Sequence, residues 1–497
     1  MRVLLVHPSA LMYSEIFLRL EPLGVERVAS ALLDDGHEVR MIDLQVYRRA
    51  ELEREVAGFK PEAVGFSLNY LSNVPEIVDL ATWVKSVLPG CFVFAGGHSV
   101  SFVAERVLEH AGGAIDAVLK GEGETGAPAL LAAAPDGAAA SVPGAVTLDG
   151  AGPAPVLAHS LDEHLPARHL GGRRRKYFIG VMDPAASIEF TRGCPWNCSF
   201  CSAWTFYGRS YRRLSPEAAV EDMTRIRERG VFIVDDVAFI RAEDGDEIAR
   251  QLELRGVRKE YYLETRTDVL IKNEDVFRRW RRLGLNYMFL GLEALDEEGL
   301  RVFRKKSTPK VNNAALEVAR SMGMSVAINI IADPDWDEPR FEFVRQWAMS
   351  VPEIVNITVQ TPYPGTETWF TESRRLTSLD YRLFDVQHAV LPTRLPLHRF
   401  YEELVKTQAV LARKHLGVAA LAKTTGIVAR QLLRGQTNFA RMIWKFNKVY
   451  NADRQYADHQ RPVRYELAPP PARPGPVPDQ KNLFIHGSHA NRLSSSR

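Results

Sequence analysis

Thr191-Arg-Gly-Cys194-Pro-Trp-Asn-Cys198-Ser-Phe-Cys201 gathers three of the chain's four cysteines into one short stretch with the spacing Cys-x3-Cys-x2-Cys. Three thiolates on one loop can hold three irons of a four-iron cluster. The fourth iron then lacks a protein ligand, and an open coordination position is where a metal site does chemistry. The alternative is structural zinc, which needs four Cys or His ligands. Cys91 is far upstream in the apolar run Cys91-Phe-Val-Phe-Ala95 and reads as a core residue. His164 and His169 are badly spaced to complete a zinc site. Three clustered cysteines cannot all pair as disulfides, and such usage fits a reducing compartment.

Outward from this loop the chain alternates between buried runs and amphipathic segments. A strand at 187–191 precedes the cysteines. Strands then fall at Val231–Val234, Tyr261–Thr265, Tyr287–Gly291, Ser325–Ile331 and Ile354–Gln360, with helices predicted at 215–229, 244–255, 273–283, 311–322 and 338–350. Six βα-like steps place active loops at the carboxyl ends of the strands. Asp235 and Asp236 stand at one such end, where adjacent acids can bind an ammonium group or cap the next turn.

Upstream, strands are predicted at Val3–Val6, Glu38–Asp43, Ala63–Ser67, Cys91–Ala95 and Ala117–Leu119, separated by helical patterns. This is the signature of a doubly wound parallel α/β sheet. Ligands bind outside the carboxyl ends of such strands. Those ends carry His7-Pro8-Ser9, Asp43-Leu44, Ser67-Leu68-Asn69, Gly96-Gly97-His98 and Gly121-Glu122-Gly123-Glu124. Glycine there lets a bulky ligand approach the backbone.

A chain of 497 residues divides into several domains. The boundaries expected are 1–140 for the first sheet, 141–185 for a linker with the solvated basic run Arg173-Arg-Arg-Lys176, and 186–395 for the second unit. A basic helical region at 396–465 and a disordered Pro-rich tail at 466–497 follow. The composition, 46% apolar and 25% charged, is that of a soluble globular protein; the net charge of +2 says nothing about partners, and no nucleic-acid partner is expected. No secretory signal and no spanning apolar run is found, so a cytoplasmic location is expected. From Leu404 to Tyr450 there are nine Lys or Arg and no acid, interleaved with apolar residues such as Leu432, Leu433, Trp444 and Phe446. Such a segment reads either as a membrane-surface helix or as a helix packed on the second unit.

Taken with the loops that follow it, the cysteine motif resembles that of the radical SAM enzymes. There the open iron chelates S-adenosylmethionine (SAM), and reduction yields a 5′-deoxyadenosyl radical. The resemblance implies a partial (β/α)6 barrel holding a [4Fe-4S] cluster on Cys194, Cys198 and Cys201. It also implies roles for Phe200 against adenine, Asp235 and Asp236 at the SAM amino group, Arg266 at its carboxylate and Glu293 at its ribose. Thr361-Pro-Tyr-Pro-Gly-Thr366 resembles the family's sixth-strand ending.

The N-terminal unit resembles the cobalamin-binding (B12-binding) Rossmann-like domain that precedes the barrel in one radical SAM class. Ser67 and Gly96-Gly97 stand at that domain's marker positions. The cobalamin contacts so implied are Leu44, Ser67, Gly96, Gly97, His98, Gly121, Glu122, Gly123 and Glu124. The usual Asp-x-His-x-x-Gly motif is absent. Arg19-Leu-Glu21-Pro-Leu-Gly24 takes its place, with Glu21 where the histidine would be. Cobalamin without a lower histidine ligand is therefore expected. A Rossmann-like domain that binds a nucleotide, or no ligand, is the alternative, because a double glycine alone is weak.

Further stretches, His7–Gly24, Gln436–Phe439 and Trp444–Asn447, are similar to those of the hopanoid C-3 methylases, and the likeness runs over most of residues 1–465. It implies methylation of an unactivated carbon, C-3 of hopanoid ring A, with two SAM per turnover. Methylcobalamin would be the methyl donor and the deoxyadenosyl radical would abstract hydrogen. It further implies a flavodoxin- or ferredoxin-type electron donor, a hopanoid lipid substrate and peripheral contact of 404–450 with the inner face of the cytoplasmic membrane. A porphyrin cyclase-like enzyme or a methylase of another substrate would share these motifs. A methylthiolating enzyme acting on tRNA would carry a second cysteine triad, and a cobalamin sensor would not need the first.

Overall fold

In the computed structural model, residues 1–414, 418–469 and 483–486 are described. The first sheet is built from β1 (Arg2–His7), β2 (Glu38–Asp43), β3 (Ala63–Ser67), β4 (Phe92–Gly96), β5 (Ala117–Leu119) and β6 (Ala145–Val146). They lie in the order β2-β1-β3-β4-β5-β6, parallel except for β6. Alternation along β1 fixes the two faces. Leu4 and Val6 join one buried cluster, with Val64, Phe66, Val93 and Ala95; Val3 and Leu5 join the other, with Val39, Ala63 and Phe94. Helices α1 (Leu23–Asp34), α2 (Arg49–Phe59), α3 (Val74–Val87), α4 (Ala104–Ala111) and α5 (Gly123–Ala133) cover both faces. This is the expected doubly wound layout, with the chain order reversing beside β1 and β3.

The second sheet, β7 (Ala185–Ile188), β8 (Gly230–Ile233), β9 (Glu260–Thr265), β10 (Leu285–Glu293), β11 (Ser325–Ala332) and β12 (Ile354–Val359), is wholly parallel. Its strands run in sequence order and the two edges, β7 and β12, do not pair. It is a six-stranded incomplete barrel. Its helices are α6 (Pro216–Arg225), α7 (Ala242–Leu254), α8 (Glu274–Leu283), α9 (Pro309–Ser321) and α10 (Glu338–Ser350). Three of them start alike: Ser215, Thr308 and Asp337 each cap a backbone N–H, and proline stands in the first turn. Proline there loses no hydrogen bond, and the cap satisfies an orphan donor. The outer side chains of the strands, such as Ile233, Leu263, Leu290, Ile328 and Ile357, form the large core beneath these helices.

The C-terminal region holds α11 (Leu397–Lys414), α12 (Val418–Leu433), α13 (Asn438–Val449) and α14 (Ala452–Asp458). No helix among the described residues is long and apolar enough to cross a membrane.

Several expected boundaries move. The linker at 141–185 is ordered and partly internal: β6 extends the first sheet, and Phe178–Ile179 pairs with Leu18–Arg19. Its basic run is not simply solvated, because Arg174 pairs with the buried carboxylates of Glu21 and Glu228. The end of the expected barrel segment belongs elsewhere. Trp369, Tyr381, Leu383, Phe384 and Val390 fill the core of the first domain, as do Tyr465 and Leu467. Part of the expected tail is also placed. Leu483 is buried, and His486 hydrogen-bonds the carbonyls of Pro155 and Phe206 at 2.8 and 2.6 Å. Residues 470–482 and 487–497 of that tail lie outside the described residues.

Candidate functional site

The cysteine loop leaves the end of β7 and is held from below. Asp235, just past β8, accepts the N–H groups of Phe190 and Thr191 at 2.7 and 3.0 Å and the Thr191 hydroxyl at 2.6 Å. Asp236 accepts the Gly193 N–H at 2.8 Å. Gly193 has φ +98°, and a Cβ there would sit 2.3 Å from the Ser210 carbonyl oxygen, so the turn into Cys194 requires glycine. Beyond the turn, Trp204 Nε1 donates to the Cys198 carbonyl, Ser199 N–H to that of Phe303 and Thr368 N–H to that of Ser199. The loop is thus tied to residues near three strand ends.

Burial and the neighbouring thiols push Cys201 up to about 12 and Cys194 higher, so free thiols are protonated and metal binding would release protons. Among the described residues no three His, Cys, Asp or Glu side chains gather as a single ion requires, the cysteines included. Three thiols on one loop leave a fourth corner without a protein ligand, which a four-iron cluster tolerates and a structural zinc site does not. Arg266 adds to the fit. One Nη–H reaches Cys198 Sγ at 3.9 Å, and the guanidinium lies 4.4 Å from the Trp196 ring centre.

The SAM-contact expectations fare unevenly. Phe200 is half-buried, edge-on to Phe303 at 5.4 Å. Asp236 opens on the cavity while protein encloses it, which raises its carboxyl to about 6. Asp235 is a correction: it is 2% exposed, both oxygens serve the loop backbone and Thr191, and burial raises it to about 7. Arg266 is largely committed as well, to both oxygens of Asp268 and to the Lys305 carbonyl. A substrate carboxylate would have to share it. Glu293 pairs with Lys305 at 3.0 Å and has φ +67°, a left-handed conformation rare for a non-glycine residue.

The expected cobalamin contacts divide more sharply. Ser67 stays half-buried at the sheet edge, with Asn69 Nδ2 donating to its hydroxyl and His7 Nδ1 at 3.4 Å. Beside them Tyr70 is 50% exposed although protein surrounds it, so it faces an open cavity. These residues leave a polar rim where an amide-rich ligand can sit. Gly97 (φ +124°) instead packs on its own chain, where a Cβ would lie 2.6 Å from Asn69 Oδ1, and Gly96 approaches Leu119. Leu44 is in the core. Gly121 and Gly123 pack on Pro155 and Val28. His98 bonds Ser202 Oγ at 2.8 Å and stacks on Phe206 at 4.5 Å, and burial lowers it to about 4. Glu122 and Glu124 grip Arg192, and Glu122 also holds Arg212. His98, Glu122 and Glu124 therefore fasten the first domain to the cysteine loop. Glu21, in the histidine's place, is wholly engaged by Arg168, Arg174 and the Ser187 N–H.

Composition and spacing missed the cavity wall itself. Tyr262 and Glu264 of β9 alternate onto the concave face, which the run Tyr261-Tyr-Leu-Glu264 signals by its period of two. Burial raises Glu264 to about 7, with Glu293 and Asp236 adding to the effect. Tyr70 comes within electrostatic range of Glu264 and Tyr363, and Tyr207 of Asp236. Side chains from both domains thus approach one another beside the cysteine loop.

Comparison with known proteins agrees with this layout. The family model described as B12 binding domain matches residues 11–131, and that of the Radical SAM superfamily matches 188–348. A hopanoid C-3 methylase from Methylococcus capsulatus is 59% identical over 493 residues, covering 99% of this chain and 96% of its own. The radical SAM methyltransferase TsrM from Kitasatospora setae, solved with cobalamin and a [4Fe-4S] cluster, superposes with a TM-score of 0.60 at 17% identity, over 79% of this chain and 82% of that one. The cobalamin-dependent radical enzyme OxsB, solved with aqua-cobalamin and S-adenosylmethionine, gives 0.61 at 15% identity, over 92% and 72%. Such identities speak for the fold alone. The chain belongs to the cobalamin-dependent radical SAM enzymes, in the family of hopanoid C-3 methylase, and is a radical SAM methyltransferase whose cofactors are a [4Fe-4S] cluster, SAM and cobalamin.

Proposed function

We propose that the enzyme methylates C-3 of ring A of a hopanoid and consumes two SAM per turnover. One observation carries this reading. The likeness to hopanoid C-3 methylase extends across 99% of the chain, including the C-terminal helices that lie beyond both family models. When bound, the cluster and SAM supply a hydrogen-abstracting radical and cobalamin carries the methyl group, so the protein's task is to orient and shield. Cys194, Cys198 and Cys201 would hold the cluster. Phe200, Asp236 and Glu293 would meet SAM at adenine, ammonium and ribose, with Arg266 shared between its carboxylate and Cys198. Ser67 with Asn69 and Tyr70 would border cobalamin, without a lower histidine ligand. Aromatic residues on the concave face of the barrel, Phe232, Tyr262, Tyr287 and Phe289, suit an apolar polycyclic body and limit water where a radical would form. A flavodoxin- or ferredoxin-type donor would deliver the electron, and residues 404–450 would rest on the membrane.

The test is deletion of the gene in its host with mass spectrometry of total lipids. Loss of ring-A methylated hopanoids is expected. Unchanged lipids would assign another substrate.

A further inference from the structure

The barrel is open between β7 and β12, and α12 crosses that opening at the end of the strands opposite the cysteine loop. On one side Lys414, closing α11, donates to the carbonyls of Ala348 and Glu353, just ahead of β12. On the other, Gln431 Nε2 donates to the Val181 carbonyl at 2.8 Å and Asn438 bonds Asp183, just ahead of β7. Sixteen helical residues reach about 24 Å, enough to bridge such a gap. From Asn438, α13 runs toward the loop after β1. There Arg441 and Lys445 pair with Glu15, and Phe446 and Tyr450 pack on Phe17 and Tyr13.

Behind α12 lies the hollow of the barrel. Tyr287, Phe289, Ala327, Asn329, Asn356 and Thr358 line its concave face and all stay half-exposed. Arg430 of α12 is within electrostatic reach of Tyr287. Among the described side chains of α12 only Gln431 is buried, and the inward-lying Thr424, Ile427 and Val428 are half-exposed. The helix therefore covers a space more than it seals a core. Among the described residues Gln431 and Asn438 hold its far end by hydrogen bonds, and Gly435, φ +72°, turns the chain between α12 and α13.

The outward face has another character. Ala422, Gly426, Ala429 and Leu433 form an exposed stripe at helical spacing. Leu433 is 88% exposed, Leu432 50% and Trp444 61%. Exposed Arg430 and Arg434 flank them, and no acid occurs between Leu404 and Tyr450. Apolar residues at the tip with cations beside them match an anionic bilayer, whose interface takes up the former and attracts the latter.

We propose that α12 and α13 form a bilayer-docked port, through which a rigid apolar lipid leaves the membrane and slides into the barrel from the end remote from the cysteines. The lipid would travel along Tyr287 and Phe289 until its leading ring faces the cysteine loop, its trailing end still near Leu432 and Leu433. This rests on the lipid-substrate reading above.

The test uses holoenzyme and vesicles of phosphatidylcholine with about one third phosphatidylglycerol. Wild type should co-sediment, and brominated lipid should quench a fluorescence component that Trp444→Phe removes. Leu432→Glu with Leu433→Glu should weaken binding at least tenfold. It should lower turnover of vesicle-borne hopanoid at least tenfold relative to detergent-solubilised hopanoid. Ala327→Trp, which narrows the hollow, should keep vesicle binding and iron–sulfur absorbance but lower turnover from both presentations. Equal vesicle binding by wild type and the double variant overturns the port, as does an Ala327→Trp enzyme with full turnover. A wild-type dimer that the double variant dissociates would assign the surface to a second copy instead. If wild type methylates no hopanoid in either presentation, the substrate reading fails, while sedimentation and quenching still decide whether the surface docks on a bilayer.

Discussion

Glu122, at the carboxyl edge of the first sheet, receives the guanidinium of Arg192 at 2.8 Å, two residues before the first cysteine of the triad. The same carboxylate accepts Arg212 through both oxygens and the Ala158 N–H at 2.6 Å. A residue of the cofactor-binding edge has become the bracket that sets the cysteine loop against the other domain. The two domains are thus held in register beside the cysteine loop by an ion-pair lattice.

Glu122→Gln should weaken that lattice by about 3 kcal/mol, since it leaves two buried guanidinium groups short of a counter-charge. The pH dependence has a definite sign. Burial pushes the Glu122 carboxyl up, but Arg192 and Arg212 override it and hold it at about 2. A depressed acid stabilises the fold fully above its unfolded value, near 4.5, and the contribution drains away as pH falls toward 2. Urea unfolding of wild type and variant between pH 7 and 2 should show a steady difference down to about pH 4.5 and convergence near pH 2; a constant difference over the whole range would show that the charge is not what matters.

Asp235 and Asp236 are neighbours with separate duties. Asp235→Ala should lose most iron on reconstitution, because two backbone N–H groups and a hydroxyl lose their acceptor. Asp235→Asn, which keeps a carbonyl oxygen for the N–H groups, should recover most of it. Asp236→Asn should load iron normally and bind SAM about tenfold more weakly. Iron content and equilibrium dialysis give the two readings, and reversed effects would exchange the roles.

His388 is clamped between Asp385 at 3.0 Å and Asp458 at 3.4 Å, joining the segment after β12 to α14. Burial alone would lower its pKa, but the two carboxylates raise it to about 9. A raised histidine contributes stability fully below about 6.5, and the contribution is lost as pH climbs through 9. His388→Phe should cost about 3 kcal/mol at pH 6 and progressively less by pH 10. Thermal unfolding across that range measures it, and a pH-independent loss would reduce His388 to a packing residue.

Cys91→Ala separates the fourth cysteine from the triad. It is 3% exposed in the first core, so removing it should cost about 1–2 kcal/mol and leave iron content unchanged. Alanine at Cys194, Cys198 or Cys201 should abolish the iron–sulfur absorbance near neutral pH. Retention of full absorbance by any one of the three would disqualify that residue as a ligand.

The alternation of buried runs with amphipathic helices, together with the spacing of Cys194, Cys198 and Cys201, determines both α/β units and the kind of cluster the loop can carry. Such signals are local: a period of two or of 3.6, a proline after a capping hydroxyl, three thiols within one turn of chain. The run Tyr261–Glu264 announces a half-buried strand in the same way. What Glu122, Glu124, His98, Asp235 and Arg266 do was settled only in three dimensions. Each is polar and sits at a strand end, where a ligand and a neighbouring domain offer it equivalent partners. The choice between them depends on which guanidinium, backbone N–H or sulfur long-range packing brings within about 3–4 Å. The placement of α12 across the mouth of the barrel is of that kind too, because its amphipathic pattern is the same whether it covers a core, a cavity or a membrane.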